Sequence, residues 1–104
     1  MHGFRLDERV RLAIELSLTA SQDTMLHDRQ DAQARRLGMT GADIDAARRG
    51  RSFEVQTSMA LALAIARGDE RGKLRERAIG MGLAEAVCRE IERFADDIAA
   101  RLSP

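Results

Sequence analysis

Three polar residues between positions 23 and 30 have types and spacing suited to acid–base chemistry. Asp23, His27 and Gln30 are four and three positions apart, so in a helix they share one face. A carboxylate one turn from a histidine orients the imidazole and raises its pKa, as general acid–base catalysis requires. These three are therefore the candidate catalytic residues, placed around a small pocket. The alternative is that Asp23 only caps a helix and His27 is half exposed, because helix N-termini favour acidic residues in any case.

Thiol and metal chemistry have few residues to draw on. The chain has one cysteine, Cys88, which excludes an intrachain disulfide and a cysteine-built metal site. Its neighbours at helical spacing are apolar, so we expect a buried and unreactive thiol. The two histidines, His2 and His27, are far apart with no third ligand at a suitable spacing. We therefore predict neither a metal site nor a cofactor.

A group of arginines around one glycine turn suggests a competing class, nucleic-acid binding. The segment from Ala34 through Gly38 to Ile44 is typical of a helix-turn-helix with glycine in the turn. The arginines that would contact phosphates are Arg35, Arg36, Arg48, Arg49 and Arg51. However, 17 basic and 17 acidic residues give zero formal net charge, and Trp and Tyr are absent. Nucleic-acid binding is therefore the less favoured alternative.

The elements that position these residues are predicted to be helices alone. Alanine is abundant and the single proline is the last residue, Pro104, so nothing interrupts a helix. With 104 residues, of which 44% are hydrophobic, we predict one compact all-α domain over residues 1–104, a bundle of about six helices. The composition excludes a disordered chain, and no apolar run reaches the roughly 18 residues that a membrane span needs. The first nine residues lack an apolar secretory signal, so we expect a cytoplasmic protein.

Helix boundaries follow from apolar periodicity and from capping residues. The first predicted helix has the apolar face Leu6, Val10, Ala13, Ile14 and Leu18, the second runs from residues 19–23 to Leu37, and the third from Thr40 to Gly50. The fourth is capped by Ser52, is apolar on all sides over 59–66 and is closed by Gly68. The fifth runs from Glu70 to Met81 and the sixth from Leu83 to Leu102. We expect the fourth helix to be central and buried.

The sixth helix has the clearest pattern, and its polar residues are predicted to face water. These are Glu85, Arg89, Glu92, Arg93 and Asp96, with an i,i+4 pair between Glu85 and Arg89. A short internal repeat also occurs, since Gly38-Met39 precedes Ile44 as Gly82-Leu83 precedes Cys88. Few large side chains are available for the core, so we expect marginal stability and a homo-oligomer (trimer, dimer or hexamer) that shares apolar helix faces.

One stretch of the sequence resembles a known family. Gln30-x-x-x-Ala34-Arg35-x-x-Gly38-Met39-Thr40-x-x-Asp43-Ile44 resembles the core of the alkylhydroperoxidase D-like, carboxymuconolactone decarboxylase family. That family's motif is Cys-x-x-Cys-x-x-x-His-x-x-x-Ala-Arg-x-x-Gly-Leu-Ser, followed by an acidic residue and Ile. Arg49-Gly50, the Ala/Leu helix and the Gly82-Leu83 helix extend the likeness over most of the chain. The resemblance implies an alkylhydroperoxidase D-like helical fold and an antioxidant, peroxiredoxin-type or decarboxylase activity.

The chain departs from that motif at the residues that carry the chemistry. Asp23 and Leu26 occupy the positions of the two redox cysteines, and Gln30 that of the motif histidine. The acid that family members often carry on the preceding helix would fall near Arg11. Hydroperoxide reduction by this family needs a thiolate and a resolving thiol, so we expect no cysteine-dependent peroxidase. A small-molecule lyase or decarboxylase using Asp23, His27 and Gln30, a ligand-binding role, and a non-enzymatic oligomerisation module remain as alternatives.

Overall fold

Six α-helices and their connections make up the protein. The structure, a computed structural model, describes residues 3–102. The helices are α1 (Glu8–Leu18), α2 (Thr24–Arg36), α3 (Gly41–Arg48), α4 (Val55–Ile65), α5 (Gly68–Gly80) and α6 (Glu85–Leu102). Between residues 3 and 102 there is no β-strand, so the all-α prediction with six helices is confirmed. Within the same range, no helix is both long enough and apolar enough to cross a bilayer.

The core lies where α1 and α4 meet. α1 packs against α2, α3, α4 and α6, while α4 also packs against α5 and α6. The side chains of Ile14, Leu16, Leu61 and Leu63 are fully buried between these helices. α4 is therefore buried and shares the central position with α1, although Ile65 at its end is exposed. The molecule is flat, with extents of 36 × 36 × 17 Å.

Capping side chains fix the starts of α1, α2 and α3. Asp7 accepts a hydrogen bond from the Val10 backbone N–H at 2.9 Å at the start of α1. Thr40 and Asp43 form a complete capping box at the start of α3, which the sequence predicts. The Asp43 carboxylate accepts from the Thr40 N–H at 2.9 Å, and the hydrogen bonds from Thr40 hold the pKa of Asp43 below its usual value.

Two boundary predictions around α4 are wrong. α4 begins after Glu54, whose side chain makes no cap, and the predicted cap Ser52 instead accepts at Oγ from the Glu54 N–H. At the other end α4 stops at Ala66, which adopts an extended conformation. Gly68 then starts α5, so the fifth helix begins two residues before the predicted Glu70. A glycine is a common helix stop, but here the extended Ala66 ends the helix first.

The two halves of the chain repeat one architecture. α1 and α4 both have 11 residues, and α2 and α5 both have 13. Two residues beyond α2 and α5 lie Gly38 (φ 86°) and Gly82 (φ 103°), in a left-handed conformation that favours glycine. In each half the residue after the glycine donates its N–H to a buried alanine carbonyl five positions back, on Ala34 or Ala78. The short repeat in the sequence therefore marks two equivalent helix–turn–helix units.

An ion pair occupies the same place in both units, with its charges reversed. Arg48 on α3 lies 2.7 Å from Asp31 on α2, and Glu92 on α6 lies 2.6 Å from Arg75 on α5. The acid is on the first helix of one unit and on the second helix of the other. The prediction that Glu92 faces water is thus wrong, because its position on α6 turns it towards α5, where it is buried. The predicted Glu85–Arg89 pair is confirmed at 3.5 Å.

Candidate functional site

Asp23 caps α2 and does not contact the imidazole of His27. Its Oδ1 accepts from the Leu26 backbone N–H at 2.9 Å, and the side chain is exposed. Between residues 3 and 102, no hydrogen bond or ion pair joins the Asp23 carboxylate to the His27 ring. The first two candidate residues are therefore one turn apart without forming an acid–base pair.

His27 and Gln30 meet at one residue of the preceding loop, Thr19. His27 Nε2 lies 3.2 Å from the Thr19 carbonyl oxygen. Gln30 Nε2 donates to Thr19 Oγ1 at 2.9 Å, and this hydroxyl donates to the Glu15 carbonyl at 2.7 Å. Thr19 and Gln30 are both buried, and Gln30 Oε1 has no hydrogen-bond partner in the described part of the chain. This arrangement fastens α2 to the end of α1.

Sequence reasoning missed the part that Thr19 plays. Its position after α1 suggested only a cap for the next helix, whereas the structure uses its hydroxyl and carbonyl as partners for side chains 8 and 11 residues later. A signal was available, because a buried glutamine on an otherwise apolar face needs a polar partner. Nothing local, however, identifies which residue supplies it.

The remaining motif positions are also occupied by structural contacts. Arg11, near the place of the family's acid, has its Nη2 3.8 Å from Glu90 Oε2 on α6, and its guanidinium lies 6.0 Å from the centre of the Phe94 ring. Leu26 is half buried. Cys88 is fully buried on α6, and burial raises the pKa of its thiol. A thiol in this setting is a poor nucleophile at neutral pH.

Metal ligands do not cluster in the part of the molecule that the structure describes. Over residues 3–102, no three histidine, cysteine or carboxylate side chains come close enough together to hold a metal ion. His2, the second histidine, lies outside the described residues.

The arginines around the glycine turn are partly engaged within the fold. Arg48 Nη2 donates to the His27 carbonyl at 3.2 Å and pairs with Asp31. Arg49 pairs with Asp45 at 3.4 Å on the exposed side of α3. A carboxylate in that place repels phosphate, so α3 presents a mixed surface and not a basic one.

The larger of the two described clefts lies away from these residues, between the segments that precede α1 and α4. Its volume is about 370 Å³, and it is enclosed by residues 3–7, helices α1 and α3, and residues 51–54 before α4. Its base is formed by Val10, Ala13, Met39, Ala47 and Thr57, all of them buried. A second, shallower groove of about 300 Å³ lies between α1 and Phe94 of α6. Neither is lined by Asp23, His27 or Gln30.

The rim of the larger cleft combines aromatic and charged side chains. Residues 3–7 contribute Phe4 and Arg5, and residues 51–54 contribute Arg51 and Phe53. Phe53 is 74% exposed, which is unusual for an aromatic residue of a small domain. Helical periodicity could not reveal this cleft, because both segments lie outside the helices. The sequence does give one signal for the cleft, because one phenylalanine and one arginine precede each of the equivalent helices α1 and α4.

Comparison with known proteins gives no relative: no family model, no curated protein and no solved structure matches the chain.

Proposed function

We propose that this chain is a non-enzymatic protein that binds a small molecule in the larger cleft. The observation that carries the proposal is the cleft itself, with its apolar base, its charged and aromatic rim and a volume of about 370 Å³. Ligand sites in proteins have volumes of about 300–1,000 Å³ and combine apolar walls with a few polar groups. This cleft has both properties.

The contacts of the candidate catalytic residues support binding over catalysis. The Asp23 carboxylate is engaged as a helix cap, and the Gln30 amide is directed at Thr19. Neither residue reaches the larger cleft, and a general base must come within hydrogen-bonding distance of a bound substrate. We therefore place ligand binding ahead of a lyase or decarboxylase that uses Asp23, His27 and Gln30.

We further propose an evolutionary relation to the alkylhydroperoxidase D-like family, without its thiol chemistry. The residues shared with the motif form a regular unit here, because Ala34 is buried, Gly38 makes the turn and the Thr40–Asp43 box starts α3. The residues that differ from the motif, Asp23 and Leu26, replace both sulfur atoms. On this proposal, the chain keeps the helical scaffold of that family and lacks the two cysteines on which its peroxidase activity depends.

Ligand binding can be tested by NMR: a mixed set of anionic, cationic and neutral fragments is added to the full chain, and the changes in backbone amide chemical shifts are mapped. We expect perturbations at Val10, Met39, Ala47 and Thr57. Phe53→Ala should lower the affinity of the chain for the fragments. Met25→Ala, which removes a similarly exposed apolar side chain from α2, should leave that affinity unchanged. The proposal is wrong if no fragment binds or if the perturbed amides surround His27 and Gln30.

A further inference from the structure

The larger cleft carries six charged side chains from separate parts of the chain. They are Arg5, Asp7, Arg9, Asp43, Arg51 and Glu54. Their formal charges cancel, so the sum alone gives no preference for a ligand. The preference depends on which of these charges already has a partner.

Three of the six charges are engaged in holding the fold together. The Asp7 carboxylate accepts from the Val10 N–H at the start of α1. The Asp43 carboxylate accepts from the Thr40 N–H at the start of α3, and Arg9 Nη2 lies 3.4 Å from Asp43 Oδ2. A carboxylate at a helix N-terminus is also stabilised by the helix dipole. Asp7 and Asp43 are therefore engaged as helix caps, and Arg9 is directed at Asp43.

The other three charges are without partners. Between residues 3 and 102, the side chains of Arg5, Arg51 and Glu54 form neither an ion pair nor a side-chain hydrogen bond. Two guanidinium groups and one carboxylate therefore remain to contact a ligand, while Asp7 and Asp43 keep their charges and the cleft as a whole is neutral. Arg5 and Arg51 come from the two segments that enclose the cleft on either side, and both line it.

We propose that the ligand is a small organic monocarboxylate with an apolar body; this inference rests on the proposed function. Guanidinium groups bind carboxylates through paired, charge-assisted hydrogen bonds, and Arg5 and Arg51 supply them. Phe4 and Phe53 at the rim, with Met39 and Val10 at the base, contact the apolar part. A carboxylate is the group that can use both guanidinium groups, neither of which is engaged by another side chain between residues 3 and 102.

The probes for this inference are 4-phenylbutyrate, its uncharged amide and 4-phenylbutylamine, titrated into the full chain and followed by calorimetry and amide shifts. We expect the carboxylate to bind at least tenfold more tightly than the amide, and the amine to bind most weakly. The double variant Arg5→Gln/Arg51→Gln should lose at least tenfold in affinity for the carboxylate and little for the amide. The control Arg29→Gln/Arg93→Gln removes two exposed arginines outside the cleft and should bind as the original chain does.

The outcomes separate this inference from the proposed function. If the amide or the amine binds in the cleft as tightly as the carboxylate, the cleft is a ligand site but its assignment to carboxylates is overturned. The assignment also fails if the double variant binds phenylbutyrate with unchanged affinity. If none of the three probes binds while fragments of another class perturb the cleft amides, only the ligand class is wrong. If nothing binds there at all, the proposed function fails together with it.

Discussion

Arg75 and Glu92 form a two-point ion pair that fastens α5 to α6. Arg75 Nε donates to Glu92 Oε2 at 2.6 Å and Nη2 donates to Oε1 at 2.8 Å, with the Glu92 side chain only 9% exposed. We predict that Glu92→Gln lowers the free energy of unfolding by about 1–2 kcal/mol, towards the low end of the range for a charged hydrogen bond because the arginine is partly exposed. Urea denaturation measures the change. Glu76→Gln, at an exposed α5 residue that forms no ion pair within residues 3–102, should alter stability little.

Exchanging the two charges should restore most of that stability. The equivalent pair has its acid, Asp31, on α2 and its arginine, Arg48, on α3, so the architecture accepts both orders of charge. We expect Arg75→Glu/Glu92→Arg to be clearly more stable than Glu92→Arg alone in the same urea titration. Equal stability of the two variants would show that the equivalence of the two halves does not extend to these positions.

Acid should weaken the fold through three carboxylates. Hydrogen bonds from Arg75 lower the pKa of Glu92, those from Arg71 lower the pKa of Asp96, and those from Thr40 lower the pKa of Asp43. Because these pKa values are lower in the folded state, the stabilisation is present above the ordinary carboxyl pKa of about 4. It is lost as the pH falls through the folded-state values.

The measurement for this acid effect is the urea midpoint between pH 7 and pH 3. We expect the midpoint to fall over the acidic end of that range, and to fall less steeply for Glu92→Gln, which has no carboxylate to protonate at that site. A midpoint that rises on acidification would contradict the assignment.

The thiol of Cys88 should be inert in the folded protein. It is fully buried, and burial raises its pKa, so little thiolate exists at neutral pH. We predict slow modification by a thiol reagent in buffer and fast modification in concentrated urea. A hydroperoxide assay with a dithiol reductant should show no turnover, and robust activity that survives Cys88→Ser would refute the proposal that this chain is non-enzymatic.

Gln30 should matter for packing more than for hydrogen bonding. Its amide makes one hydrogen bond to Thr19, and its buried Oε1 has no partner among residues 3–102. Gln30→Met keeps the length of the side chain and removes the unpartnered oxygen, so we expect a change within about 1 kcal/mol. Gln30→Ala leaves a cavity and should cost about 2 kcal/mol. Thermal or urea unfolding distinguishes the two, and a severe loss in Gln30→Met would show that the polar network dominates.

Self-association remains a prediction, and exposed apolar residues give it a test. Val55, the first residue of α4, is 68% exposed. Val55→Asp places a carboxylate at a helix N-terminus, where it favours the helix, so folding is preserved while an apolar contact between subunits is lost. We expect light scattering to show an oligomer for the original chain and a smaller species for this variant. Thr24→Asp, at the first residue of α2, is the matched control; a monomeric original chain would refute the prediction.

What the sequence could reveal depends on how local each feature is. The apolar spacing of α6 and the Thr40–Asp43 capping box involve residues within a few positions of one another, and both were predictable. The burial of Glu92 depends on Arg75, 17 residues earlier, and the role of Gln30 depends on Thr19, 11 residues earlier. The larger cleft depends on two segments almost fifty residues apart, so only their composition gave a signal.

The reversed ion pairs also bear on how a chain with two similar halves avoids folding incorrectly. If α2 docked on α6, Asp31 would oppose Glu92, and if α5 docked on α3, Arg75 would oppose Arg48. Each incorrect pairing of helices would place like charges together in a partly desolvated contact, so it is less favourable than the native pairing. The inversion therefore gives each helix a means of rejecting the other half's partner during assembly, a distinction that the shared apolar pattern alone does not provide.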